Sequence, residues 1–299
     1  MIAVDWGGTS LRAYRIADDG RVLAQRRGDT GALACGGRHA QVLAGVVDGW
    51  DDALLVLCGM VGARGGWVEV PYLPCPAGID ALAAGMVDLG RHASVEPALA
   101  GRSVWCVPGM VDHGARAADV MRGEESQLAG LLGQLGPGRH TVCLPGTHSK
   151  WVRVEDGSIS RISTALTGEL YGLLRGHSIL ARGMPQSEPP LDAAAFDAGL
   201  RQARVGHGLL QDLFGVRTAA LFERFEASAL PSYLSGLLVG HELATALPSP
   251  DAGPVHLVGS DALLERYARA LDWCGVDVRR HGEALAATGM HRLARARLG

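Results

Sequence analysis

Two short stretches carry the residue types that hold phosphate. The first reads Ile2-Ala3-Val4-Asp5-Trp6-Gly7-Gly8-Thr9-Ser10-Leu11-Arg12-Ala13-Tyr14-Arg15. An apolar run ends in a carboxylate, and two glycines, two hydroxyls and an arginine follow it. Glycine lets a backbone approach a phosphate with no Cβ in the way, and successive N–H groups in a turn form a nest for an anion. Thr9 and Ser10 add hydroxyl donors, and Arg12 supplies positive charge. Asp5 stands where a hard cation bridging phosphates needs an oxygen ligand. A plain hairpin with a solvated Asp and Arg reads the same way, so this stretch alone does not decide.

The second stretch, residues 142–154, reads Val-Cys-Leu-Pro-Gly-Thr-His-Ser-Lys-Trp-Val-Arg-Val. With Gly8-Thr9 set on Gly146-Thr147, Arg12 falls on Lys150, Arg15 on Arg153, Ile16 on Val154 and Asp18 on Asp156, without a gap. Asp-Gly pairs follow in both copies (Asp19-Gly20 and Asp156-Gly157), and Asp-Gly between apolar runs marks a hairpin. Each half therefore starts strand, phosphate-type loop, strand, Asp-Gly turn, strand. Such a duplication implies two related domains facing each other across a cleft. The copies differ at one chemical position, where Asp5 is matched by Cys143: the first loop carries the metal-side carboxylate, the second only phosphate donors. Lys150 is the only lysine among 28 Lys+Arg, and the chain has no asparagine. A bias toward arginine explains the scarcity, and a point charge suited to phosphate explains a lysine kept in this loop.

These loops need elements to position them. Apolar patterning predicts strands over 2–5, 12–17, 21–26, 53–58, 103–107 and 255–258, and helices over 37–50, 118–135, 164–182, 192–214, 218–227, 231–247, 262–273 and 283–297. Residues 59–80, rich in glycine, proline and aromatics, read as a shaped loop. Strands alternating with helices mean α/β layers. A chain of 299 residues is long for one core and comfortable for two, with the division expected at 1–125 and 126–299. The formal net charge of -3 offers no general attraction to nucleic acid or anionic membrane. Six cysteines (35, 58, 75, 106, 143, 274) without Cys-x-x-Cys spacing read as reduced thiols of a cytoplasmic protein. No signal peptide or transmembrane run is visible, a Cys/His cluster suited to structural zinc is absent, and no Gly-x-Gly-x-x-Gly follows a strand as a nicotinamide enzyme requires.

Further candidates sit at element ends. The Gly259-Ser260 exit of an apolar strand gives a planar base or ribose room against the backbone. Gly123-Glu124-Glu125 opens an amphipathic helix. Carboxylates there serve the helix dipole, or accept a proton from a substrate hydroxyl; Asp112 is a reserve. Arg64, among glycines, either grips a carboxylate or is solvated. Thr167-Gly168-Glu169 and His177-Ser178 are weaker candidates for the wall facing the loops.

Five segments, VDWGGTSLRAYR, GMVGARGGWVEVPYLPCPAG, DVMRGEESQLAG, LPGTHSKW and TGELYGLL, together resemble the 2-dehydro-3-deoxygalactonokinase family of the actin, heat-shock chaperone and sugar-kinase superfamily. The likeness runs from residue 4 to about 174 and continues more weakly through VHLVGSDAL and the tail. It implies an α/β fold of two ribonuclease-H-like domains with ATP in the cleft between them. It also implies Mg²⁺-dependent transfer of the γ-phosphoryl group to the 6-hydroxyl of 2-dehydro-3-deoxy-D-galactonate. On that resemblance, Asp5 serves Mg²⁺; Gly7, Gly8, Thr9, Ser10 and Arg12 take phosphates. Gly146, Thr147, His148, Ser149 and Lys150 clamp them, Gly259 and Ser260 approach the adenosine, and Arg64 meets the sugar-acid carboxylate. Where kinases of the superfamily commonly place an aspartate as base, this chain has Glu124 and Glu125. Another sugar or sugar-acid kinase, or a non-catalytic ATP-binding sugar sensor, is the rival reading. A homo-oligomer is compatible with either.

Overall fold

The computed structural model describes residues 1–91, 99–114, 117–247, 253–282 and 284–299. In chain order the elements are β1 (Ile2–Trp6), β2 (Leu11–Ile16), β3 (Val22–Gly28), α1 (His39–Val46), β4 (Leu54–Gly59), β5 (Leu73–Pro74), α2 (Ile79–Ala84), β6 (Val87–Asp88), β7 (Ser103–Cys106), β8 (Met110–Asp112), β9 (Asp119–Met121) and α3 (Glu124–Leu132). They continue with β10 (Arg139–Leu144), β11 (Ser149–Glu155), β12 (Ser158–Ala165), α4 (Thr167–His177), α5 (Ala193–Val205), α6 (Leu209–Leu221), α7 (Leu230–Ala246), β13 (Val255–Gly259), α8 (Asp261–Trp273), β14 (Val278–Gly282) and α9 (Leu285–Leu298).

The duplication inferred from the loops is a duplication of topology. One sheet runs β3-β2-β1-β4-β7-β6 and another β12-β11-β10-β13-β14. In both, an antiparallel three-strand meander opens the sheet and the first strand of the meander pairs in parallel with a later strand. β1 pairs β4 (Asp5 opposite Cys58), and β10 pairs β13 (Cys143 opposite Leu257). Strands buried on both faces are near-continuous apolar runs, as the parallel pairs require; Leu55, Val56, Leu57 and Cys58 of β4 have no solvent exposure. The Asp156-Gly157 turn holds both residues at positive φ, 46° and 77°, the backbone demanded by a two-residue hairpin loop.

The chain forms two compact units. The first comprises residues 1–139, 152–162 and 282–299, and the second 140–151 and 163–281. Each unit is assembled from more than one stretch of the chain. The core of the first unit gathers Ile2, Val4, Trp6, Leu11, Leu43, Leu55, Leu57 and Val104. That of the second gathers Phe196, Leu200, Val239, Val255, Leu257, Tyr267 and Leu271 beside Cys143 and Trp151.

Several element boundaries differ from the sequence reading, each for a local reason. The helix expected over 118–135 starts only at Glu124, because residues 119–121 pair with β8 (Met110 opposite Met121) and Gly123 takes φ 114°. The helix expected over 192–214 is broken into α5 and α6 at Gly206 and Gly208, the latter at φ 102°. That expected over 164–182 starts after β12 has run to Ala165 and ends at His177. β14 carries no strand signal in the sequence, because Arg279, Arg280 and His281 give it no apolar run. Glu283, the expected start of the last helix, lies outside the described residues. No described helix is long and apolar enough to cross a membrane.

Candidate active site

In the first unit the β1–β2 turn is built against backbone. Gly7 N–H donates to Ser10 O (2.9 Å) and closes the turn, while Ala32 N–H donates to Gly7 O (3.0 Å). The turn rests on Gly31, where a Cβ would lie 1.8 Å from Gly8 O. Trp6, fully buried beneath it, donates Nε1 to Thr30 O (3.0 Å). Gly8, Thr9 and Ser10 are exposed on this backbone support. Asp5 is half-buried at the exit of β1, opposite Arg12 in the β1–β2 ladder, and accepts a weak bond from the Cys58 thiol (3.9 Å).

Close backbone approach brings the Gly-Glu-Glu segment to the same strand ends. Gly59, at φ 91°, would carry a Cβ 2.7 Å from Trp6 O, and Gly123 would carry one 3.4 Å from Gly59 Cα. Behind Gly123, α3 crosses α9 at glycines: a Cβ on Gly289 would meet Ser126 O at 1.8 Å. The two carboxylates are unlike. Glu124 is half-buried, and its Oε2 accepts Arg122 N–H (3.0 Å). Glu125 is fully buried; its Oε2 accepts Gly123 N–H (2.7 Å), and its Oε1 has no hydrogen-bond partner among the described residues. Burial, reinforced by the charge of Glu124, pushes the Glu125 carboxyl up to about 8, so it is mostly neutral at pH 7.

Asp112 is committed elsewhere. It is buried in β8, where it accepts Ile162 N–H (3.0 Å), Gly114 N–H (2.9 Å) and Arg161 Nη1 (3.3 Å). Burial opposes its charge, but these donors win and hold its carboxyl below the usual range. Arg64 lies in the loop after β4 with its side chain 90% exposed, 3.6 Å from Glu69. Arg122, which the sequence reading passed over, binds that loop instead. Its Nη2 donates to Val70 O (2.7 Å), and its guanidinium lies over the Tyr72 ring at 4.2 Å. Its place directly before Gly123-Glu124-Glu125 was the available signal.

In the second unit the loop after β10 sits on the first turn of α4. A Cβ on Gly168 would fall 2.4 Å from Gly146 O, and Glu169 N–H donates to Thr147 O (2.9 Å). His148 Nε2 pairs with the Glu169 carboxylate. Thr147 and His148 are exposed, whereas Ser149 and Lys150 point inward. Ser149 Oγ meets Tyr267 OH (2.8 Å), and Lys150 Nζ donates to Thr164 Oγ1 (2.8 Å). Of the five residues expected to clamp phosphate here, three form the open loop and two anchor it. Gly259 leaves β13 beside this loop, the place a Cβ would occupy lying 3.7 Å from Pro145 O. Ser260 caps α8 without a side-chain bond to the helix. Loop and exit thus share the carboxyl end of two parallel strands, where open α/β sheets bind ligands. Thr167 and Glu169 stand at this loop. His177 is exposed at the far end of α4, and Ser178 caps the following turn through Leu180 N–H (3.0 Å).

Comparison with known proteins decides the family. The family model described as 2-keto-3-deoxy-galactonokinase matches residues 5–293. The chain belongs to that family. Its curated relatives include a probable 2-dehydro-3-deoxygalactonokinase from Rhizobium meliloti (strain 1021), 37% identical over 289 residues, covering 93% of this chain and 90% of the relative. Another is the 2-dehydro-3-deoxygalactonokinase of Escherichia coli (strain K12), 34% identical over 281 residues, with 93% and 91% covered. A crystal structure of a protein from Sinorhizobium meliloti superposes with TM-score 0.87 at 36% identity, covering 99% of this chain and 98% of that one. The activator of 2-hydroxyisocaproyl-CoA dehydratase from Clostridium difficile, solved with ADPNP, shares the fold at TM-score 0.53 and 11% identity. The family's fold is therefore the actin-like ATPase and sugar-kinase fold, with its repeated α/β halves.

Proposed function

We propose that this galactonokinase-family chain is an ATP-dependent kinase that phosphorylates the 6-hydroxyl of 2-dehydro-3-deoxy-D-galactonate in galactonate catabolism. The observation that carries the reading is the repeat itself. Two strand–loop–strand copies each present exposed backbone and hydroxyl donors at a strand exit, and only the first has a carboxylate there, in a chain of this family.

Phosphoryl transfer needs positioning and charge neutralisation more than covalent chemistry. In the first unit Gly7, Gly8, Thr9, Ser10 and Arg12 are assigned to phosphate. In the second, Gly146, Thr147 and His148 are assigned to phosphate, with Ser149 and Lys150 behind them and Gly259-Ser260 toward the adenosine. Among the described residues no group of three or more His, Cys, Asp or Glu could hold a metal unaided. A phosphate-bound Mg²⁺ keeps most of its waters and needs one or two carboxylates, a demand that Asp5 fits. When bound, Mg²⁺ neutralises charge that develops on the phosphate oxygens. Glu124, the more accessible carboxyl, takes the proton of the attacking hydroxyl. Glu125, neutral and enclosed, fixes the Gly123 amide and so the start of α3. Arg64, exposed and paired only loosely with Glu69, is assigned to the sugar-acid carboxylate. All six cysteines are free thiols, which supports a reducing, cytoplasmic setting.

The test is ATP-dependent ADP release with Mg²⁺ over sugars and sugar acids, including the galactonate- and gluconate-derived 2-keto-3-deoxy acids. Turnover confined to the galactonate-derived acid, with its KM raised about tenfold or more in Arg64→Ala, is the expected result. Turnover only on neutral sugars defeats the carboxylate assignment, and nucleotide binding without turnover on any acceptor defeats the kinase reading.

A further inference from the structure

The second loop is held from behind by one buried carboxylate, and we propose that Glu242 is the positioning residue that sets the loop's phosphate-binding shape. The inference rests on the assignment of residues 146–148 to phosphate.

Glu242 belongs to α7, whose other buried residues are mostly apolar and none charged, and is itself 5% exposed. A carboxylate in such a place is costly unless donors surround it. Three donors do, each from a different element. Trp151 Nε1 of β11 reaches Oε1 (2.7 Å), while Tyr267 OH of α8 (2.7 Å) and Thr167 Oγ1 of α4 both reach Oε2. Because Tyr267 spends its proton on Glu242, its oxygen is left to accept from Ser149 Oγ at 2.8 Å. Ser149 also acts on the Glu242 carboxyl directly, so Ser149, Tyr267 and Glu242 form one cluster.

The two branches of this network flank the loop. Through Tyr267 and Ser149, Glu242 holds the residue that follows His148. Through Thr167 it holds the first turn of α4, whose Gly168 touches Gly146 and whose Glu169 amide binds Thr147 O. The loop can move only if one branch opens. Replacing it by an apolar side chain would leave buried donors of three elements unpaired, which costs stability; the positioning role follows from where those donors lie, on both flanks of the loop.

The test compares Glu242→Gln and Tyr267→Phe with Asp197→Ala in the full chain. Asp197 pairs bidentately with Arg269 (2.7 Å each) between α5 and α8, away from the loop, so its loss controls for destabilisation alone. Hydrogen exchange of amides 146–150 without nucleotide is read beside KM for ATP, KM for the sugar acid and Tm. Glu242→Gln is expected to speed exchange of the loop amides and to raise KM for ATP by about tenfold or more, with KM for the acid within about twofold. Tyr267→Phe, which cuts only one branch, should fall between it and the wild type. Asp197→Ala should leave loop exchange and both KM values in place at a matched fall in Tm. Loop exchange in Glu242→Gln no faster than in Asp197→Ala overturns the assignment. Faster exchange in a chain whose wild type binds no ATP supports the positioning role and defeats the functional reading instead.

Discussion

The two copies of the phosphate-type loop reach the same topology by opposite means. Behind the first stands Leu11, fully buried; at the matching place behind the second stands Ser149, also fully buried. Under the first turn the side chains are apolar, Trp6 and Leu11, with the backbones of Gly31 and Gly59 pressed close and its hydrogen bonds made by the main chain. The second adds buried side-chain hydrogen bonds that run from Ser149 to Glu242. Apolar packing tolerates no added volume, while a polar network tolerates no lost partner. The copies also differ at the strand exit. Asp5 is half-exposed in one, whereas in the other burial, reinforced by the charge of Glu242, raises the Cys143 thiol well above its usual range and keeps it neutral. Duplication kept the frame and divided the chemistry.

That contrast can be broken in several ways. Asp5→Asn should cost about a hundredfold or more in kcat with little change in Tm, whereas Cys143→Ser should act on stability alone; steady-state kinetics beside thermal melts separate the two. Volume comes next. Gly31→Ala drives a Cβ to 1.8 Å from Gly8 O and should destabilise the chain by about 3 kcal/mol. Gly168→Ala meets Gly146 O at 2.4 Å but lies in a helix, where alanine returns about 1 kcal/mol; denaturant midpoints should rank it the milder of the pair.

The pH predictions separate the units further. Glu125 holds its proton in the folded chain up to about pH 8, whereas an unfolded glutamate loses it near 4.5. The folded state binds more protons in that window, so wild-type stability falls as pH rises through it. Glu125→Gln should flatten that slope, by a few kcal/mol across the window; a slope unchanged in the variant contradicts the neutral carboxyl. The second unit should respond in the opposite sense and more weakly. Burial, with the charges of His281, His140 and Arg279, lowers His256 from 6.5 to about 4. Below pH 6.5 the unfolded chain takes a proton that the folded one refuses, so stability falls as pH drops from 6.5 to 4. Melts of His256→Gln over that range should show a shallower loss.

The fold was legible because its signals were local. Asp-Gly turns, apolar runs and the register of Gly8-Thr9 on Gly146-Thr147 all lie within a few residues of what they specify. Elements stabilised from afar were not legible: β9 exists because β8 pairs with it, and β14 is a polar edge. The exposed residues of the two candidate loops are visible in the sequence, since glycines and hydroxyls advertise themselves. Its supports were not, because Glu242 is separated by 91 residues from Trp151 and by 25 from Tyr267. A lone glutamate in an apolar helix was the one hint. Likewise the pair Glu124 and Glu125 was visible, but their division of labour depends on burial, and only folding reveals which side chain α3 turns inward.

The most direct measurement is kcat of Glu124→Gln against that of Glu125→Gln, at saturating ATP and sugar acid. A loss of about a hundredfold or more is expected for Glu124→Gln, and no more than about tenfold for Glu125→Gln. The reverse order would show that the enclosed carboxyl is the base and would contradict the roles assigned to the pair.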